Sequence, residues 1–112
     1  MEWFLSSEDR PNVYVVKGKI PEVFGEAYGT LAENYPAQVW TVAFLHLDMD
    51  LFRSTKDALE FFWPRMMPGA WLVVDDYWGH CRGVKAAVDQ HFEEEELGLM
   101  LMGAEHQLVV RK

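Results

Sequence analysis

Two short apolar runs that end in carboxylates limit what this chain can fold into. The first is Ala43-Phe-Leu-His-Leu47 followed by Asp48-Met-Asp50, and the second is Trp71-Leu-Val-Val74 followed by Asp75-Asp76. Both are the length of a strand, and each is nearly continuous in apolar residues, as expected of strands covered on both faces by helices. Between them Ala58, Leu59, Phe62 and Met66 recur at helical spacing. Strand, helix and strand read as one right-handed crossover, so the two acidic ends meet at one edge of a parallel sheet.

The rest of the chain fits that unit. Val13-Tyr-Val-Val-Lys17 is a strand candidate stopped by Gly18. Pro21 opens a helix whose apolar face, from Val23 to Ala32, runs to about Asn34, and Pro36 closes it. The next strand spans about Val39 to Leu47 and reads as central. Ser54 is placed as a helix N-cap with Asp57 three residues on, and Pro64 ends or kinks that helix near Phe62–Trp63. Pro68-Gly69 reads as a turn before a strand over Ala70–Val74. Cys81 to about Glu96 reads as a helix with Val84, Ala87, Val88, His91 and Phe92 on its inner face. Leu99–Met102 and Gln107–Arg111 then form an antiparallel hairpin. The alternation is that of a three-layer α/β sheet in one domain over residues 1–112.

Composition excludes several functions. The formal net charge of −8 offers no clustered positive surface for nucleic acid or an anionic membrane. No apolar stretch approaches the ~18–20 residues of a membrane span. Cys81 is the only cysteine, so no intrachain disulfide can form, and a cytoplasmic setting is the expectation. Five tryptophans are many for 112 residues, which brings a homo-oligomer, a dimer in the first instance, among the expectations.

Ligands of open α/β sheets bind beyond the carboxyl ends of the strands, where Asp48, Asp50, Asp75 and Asp76 fall. Neighbouring strands lie ~4.8 Å apart, so these carboxylates can converge and must then share a proton or a cation. An all-oxygen set suits Mg²⁺, whereas one cysteine and four scattered histidines show no zinc spacing. His46 shares a strand face with Asp48 and could orient a carboxylate or act as a base. Aspartates at strand ends also cap turns, and the pattern alone leaves both readings open.

The strings Leu45-His-Leu-Asp-Met-Asp-Leu-Phe-Arg-Ser-Thr55, Pro68-Gly-Ala-Trp-Leu-Val-Val-Asp-Asp-Tyr77 and Cys81-Arg-Gly-Val-Lys-Ala-Ala-Val88 resemble the macrocin O-methyltransferase family over roughly residues 13–92. The resemblance implies a Rossmann-like fold, S-adenosylmethionine as methyl donor, Mg²⁺, and a small hydroxyl-bearing acceptor. It places the metal ligands at Asp48, Asp75 and Asp76, with Asp48 also activating the acceptor hydroxyl. By the same order the three strand candidates are the third, fourth and fifth of the family's fold. The first two strands and the glycine-rich cofactor loop have no counterpart in these residues. The expectation is therefore a truncated methyltransferase-like domain that keeps a metal site and has an incomplete cofactor site, with Asp48, Asp50 and His46 as catalytic candidates. The other expectation is a non-catalytic dimeric module built on the same half-fold.

Overall fold

The computed structural model describes residues 16–34, 41–92, 99–102 and 106–112. In chain order these give α1 (Glu22–Asn34), β1 (Val42–Leu47), α2 (Phe52–Phe62), a 3₁₀ turn (Trp63–Arg65), β2 (Met66–Val74), α3 (Arg82–Phe92), β3 (Leu99–Met102) and β4 (Leu108–Arg111). The strands form one sheet in the order β1-β2-β4-β3. β1 and β2 are parallel, joined by α2, while β4 runs antiparallel to both β2 and β3. The sheet is thus mixed, with one parallel ladder among the described residues where mostly parallel strands were anticipated.

Strand periodicity decides where the core sits. Leu47 on β1, Leu72 and Val74 on β2, and Leu108 and Val110 on β4 are buried in one cluster with Leu59 of α2 and Val84 and Val88 of α3. Phe24 of α1 joins the same side through ring contacts with Phe61 and Phe62. The alternate residues behave differently. Phe44 is 62% exposed, His46 and Arg111 are exposed, and Trp71, Val73 and Val109 are half-buried. Helices cover one sheet face, so two layers rather than three exist among the described residues. β1, expected to be central, is the edge of the described sheet, because the strand that would flank it has no described partner there.

Several boundaries differ from the sequence expectation for identifiable reasons. Of Val13–Lys17 only residues 16 and 17 are described, and they are not in a strand; residues 13–15, 39–40 and 93–96 lie outside the described residues. α2 begins before Ser54: its N-cap is Leu51, which makes no side-chain capping bond. The buried Thr55 hydroxyl donates to the Leu51 carbonyl at 2.7 Å, and Asp57 pairs with Arg53 at 3.3 Å instead of closing a capping box. Pro64 stands at the start of the 3₁₀ turn, where its missing N–H costs no helical bond.

Pro68-Gly69 makes an interruption inside β2 rather than a turn before it. Val42 pairs with Met66 and Phe44 with Trp71, so two steps along β1 answer five along β2. Gly69 takes a φ of +86°, which suits a residue without Cβ, and proline cannot donate to a ladder. The same two residues that usually reverse a chain here produce a bulge.

Candidate metal centre at the strand ends

Both acidic ends do reach the same edge. The Asp75 N–H donates to the Leu47 carbonyl at 2.9 Å, which carries the parallel ladder one step past β2 and fixes Asp75 beside the end of β1. By strand alternation its side chain belongs to the open face, with Val73 and His46. There Asp75 Oδ1 accepts two hydrogen bonds, from His46 Nε2 at 3.0 Å and from Gln107 Nε2 at 2.8 Å. Desolvation alone would raise the Asp75 pKa, but these two hydrogen bonds and the electrostatic effect of His46 bring it below the ordinary carboxylate value.

Asp76 turns the other way. Asp50 and Asp76 both sit in the left-handed region, at φ +63° and +64°, a conformation that aspartate tolerates better than most residues. Their carboxylates and the Cys81 thiol bring one donor atom each within 4.8 Å of one another. Gly83 permits the approach: a Cβ there would stand 2.8 Å from the Phe52 backbone nitrogen, so only glycine lets the start of α3 lie against the start of α2. Desolvation, the hydrogen bond with Asp50, and the charges of Asp50, Asp48 and Asp75 push the Asp76 carboxyl above its usual value. Desolvation and the charges of Asp76, Asp50 and Asp48 likewise raise the Cys81 thiol.

This donor set fits a hard divalent cation. Two carboxylates face each other with a third, Asp48, close enough to act on Asp76 and Cys81 through its charge, and crowding of this kind is what a cation relieves. Cys81 is the one soft donor of the group, and the two carboxylates beside it suit a hard ion better than a soft one.

The sequence candidates thus divide between two clusters. Asp50 and Asp76 meet at Cys81; Asp75 and His46 meet at Gln107; Asp48 belongs to neither tight group and acts on Asp76 and Cys81 through its charge. Cys81 and Gln107 were missed. Cys81 precedes the helix by one residue, and Gln107 occupies the position before β4 that register sets opposite Asp75, one step past the Leu108–Val74 pair. That register is the signal that could have identified Gln107.

A hollow of about 470 Å³ adjoins the turn, lined by Tyr77, Trp78, Gly79, Arg82, Lys85, Ala86 and Asp89. The Tyr77 hydroxyl donates to Asp89 Oδ1 at 2.5 Å and Lys85 Nζ to Asp89 Oδ2 at 2.6 Å, which ties the acidic turn to α3. No described helix is long and apolar enough to cross a membrane.

Residues 25–107 match the family model for macrocin-O-methyltransferase (TylF). A 36-residue stretch, 32% of this chain, is 50% identical to the 8-demethyl-8-(2,3-dimethoxy-alpha-L-rhamnosyl)-tetracenomycin-C 4'-O-methyltransferase of Streptomyces olivaceus. A 55-residue stretch, 49% of the chain, is 40% identical to the demethyldecarbamoylnovobiocin O-methyltransferase of Streptomyces niveus. Those matches take in 14% and 21% of the two relatives' lengths. Among solved structures, the O-methyltransferase NovP superposes with a TM-score of 0.57 at 30% identity, over 64% of this chain and 30% of that one. CalS11, a TDP-rhamnose 3'-O-methyltransferase, gives 0.55 at 22% identity over 77% and 37%, a likeness of fold alone. The chain therefore spans well under half of each of these proteins.

Proposed function

The chain belongs to the macrocin-O-methyltransferase family, and from that premise we propose that its acidic strand ends are the metal-binding and acceptor-activating part of a Mg²⁺-dependent O-methyltransferase. The observation that carries this reading is the meeting of Asp50 and Asp76, just past the ends of neighbouring parallel strands, within reach of the charges of Asp48 and Asp75. Asp50 and Asp76 would hold Mg²⁺, while Asp48 and Asp75, which the family pattern also makes ligands, act on Asp76 through their charge. When bound, the ion lowers the pKa of an acceptor hydroxyl and neutralises the crowded carboxylates. Asp48 would serve as the base for the acceptor hydroxyl's proton, and the donor would supply the methyl group from its sulfonium, the S–CH3 bond breaking to leave the neutral thioether as the O–CH3 bond forms. His46 and Gln107 hold Asp75 in place, and the left-handed turns at Asp50 and Asp76 aim those side chains at one another.

The methyl donor in this reading is S-adenosylmethionine. No glycine-rich loop of the GxGxxG type occurs in the 112 residues, so its adenosine site is incomplete within them. The acceptor class is a small hydroxyl-bearing molecule, in line with the glycosylated compounds for which one relative is named. Calorimetric titration separates the parts: Mg²⁺ is expected to give binding heat, and S-adenosylmethionine little or none with or without it. Absence of any Mg²⁺ heat would end the metal reading.

A second reading rests on the sheet edge. β1 has no partner on its outer side among the described residues, and Phe44 is exposed beside it. A free edge strand next to apolar surface favours pairing with another copy, giving a homodimeric module on the same half-fold. Light scattering at micromolar protein is expected to give twice the monomer mass of 13.0 kDa; a monomer mass at that concentration would dispose of the dimer.

A further inference from the structure

We propose that the hollow beside the acidic turn, walled by Trp78 and Arg82, binds a planar aromatic carboxylate, with the ring against the Trp78 indole and the carboxylate on the Arg82 guanidinium. The proposal goes beyond the metal reading and does not rest on it.

The hollow has the size of a small-molecule site: its volume of about 470 Å³ falls within the range of roughly 300–1,000 Å³ that ligand pockets occupy. One wall is aromatic. Trp78 is 40% exposed, yet its backbone N–H donates to the His106 carbonyl at 3.3 Å and its ring meets that of Tyr77 at 90° with the centroids 4.7 Å apart. An indole held on one side and bare on the other offers a platform to a flat ring. The Tyr77 ring is engaged elsewhere, because Tyr77 is buried and Lys85 Nζ lies 4.9 Å from its centroid.

Charge selects the ligand. Arg82, Lys85 and Asp89 line the hollow and leave it net positive in a chain whose formal charge is −8. Asp89 is engaged at both oxygens, Oδ1 by the Tyr77 hydroxyl at 2.5 Å and Oδ2 by Lys85 at 2.6 Å, so Lys85 and Asp89 offset each other. Arg82 remains: it is exposed and makes no ion pair among the described residues. It also stands in the first turn of α3, which holds no acidic residue, where the helix dipole disfavours a cation. A guanidinium is always charged and presents a planar fork that matches a carboxylate. One uncompensated positive charge beside an aromatic face therefore suits a flat monoanion. Gly79 also lines the hollow, and a Cβ added there would lie 3.4 Å from Asp76 Oδ1, so the hollow borders the acidic turn.

Calorimetric titration of the whole chain, free of metal, with cinnamate and with its neutral isostere cinnamamide tests the site. Cinnamate is expected to bind, and cinnamamide to bind about tenfold more weakly. Arg82→Gln, at an exposed position, should weaken cinnamate about tenfold and leave cinnamamide unchanged. Trp78→Ala should weaken both about tenfold, and Trp78→Phe should restore most of that loss. Arg53→Gln removes an exposed cation of α2 and should bind both as wild type does. Wild type that takes up no cinnamate overturns the proposal, and so does equal affinity for acid and amide. Cinnamate binding that Arg82→Gln leaves intact, or that Arg53→Gln weakens as much, overturns the assignment to this hollow. Should Trp78→Ala fail to fold, Arg82→Gln and the comparison of acid with amide decide.

Discussion

Asp76→Asn is expected to raise the melting midpoint of the cation-free protein at neutral pH and to abolish the stabilisation that Mg²⁺ gives the wild type. Partial burial, the Asp50 hydrogen bond and the charges of Asp50, Asp48 and Asp75 all raise the Asp76 pKa in the folded protein. A carboxyl with a raised folded pKa favours the folded state while it is protonated, and this contribution is lost as pH rises through that raised value. Asparagine mimics the protonated side chain and keeps the benefit. The variant's advantage should therefore shrink as pH falls through the raised pKa of folded Asp76 and the carboxyl regains its proton. Asp75 has the opposite sign: its lowered pKa stabilises the fold above the unfolded value, and that contribution is lost as pH falls through the folded one. Added Mg²⁺ at about a hundredfold excess over Kd would stabilise wild type by about 2.7 kcal/mol, and Asp76→Asn by almost nothing. Equal Mg²⁺ shifts in the two proteins, read by thermal melts with and without chelator, would remove Asp76 from the site.

A residue that destabilises the empty protein and is kept beside two other acids has the character of a site rather than of scaffold. This distinction was partly legible in the sequence. The acidic ends of the two strands and their parallel pairing follow from apolar runs of strand length separated by one helix, and those features are dictated locally. Which aspartate faces which is not dictated locally. Period-two alternation sends Asp75 to the open face with His46 and Asp76 to the other, where the chain leaves the strand at a left-handed residue and the carboxylate meets Asp50 and Cys81. No residue pattern announces that meeting. Gln107 became visible only with the β2–β4 register, which brings it to Asp75 across thirty-two positions of sequence.

Face assignment was the other point at which sequence reasoning went astray. Trp71-Leu-Val-Val74 is apolar at every position, and such runs normally mark a strand covered on both sides. The described helices cover only the Leu72 and Val74 side, so Trp71 and Val73 present apolar surface to the opposite face with Phe44 and Val109. Arg111 lies 5.4 Å from the Trp71 ring centroid and shields part of that surface by a cation–π contact.

The difference between the two faces sets the largest expected effect on stability. Leu72→Ala should cost about 2–5 kcal/mol. Leu72 is fully buried, pairs with Leu45 on β1 and Val110 on β4, and lies in the cluster that joins the sheet to the helices. A domain of this size has only about 5–15 kcal/mol in hand, so the variant should unfold at markedly lower urea concentration than wild type. Phe44→Ser changes a larger apolar side chain on the same sheet, yet in dilute monomer it should cost within about 0.5 kcal/mol, because Phe44 is exposed in the isolated chain. Raising the protein concentration distinguishes the two readings of the open face. If a second copy covers β1 and Phe44, wild-type stability rises with concentration and that of Phe44→Ser does not. A Phe44→Ser cost equal to that of Leu72→Ala in dilute solution would mean that the chain itself covers this face, and the two-layer core would have to be redrawn.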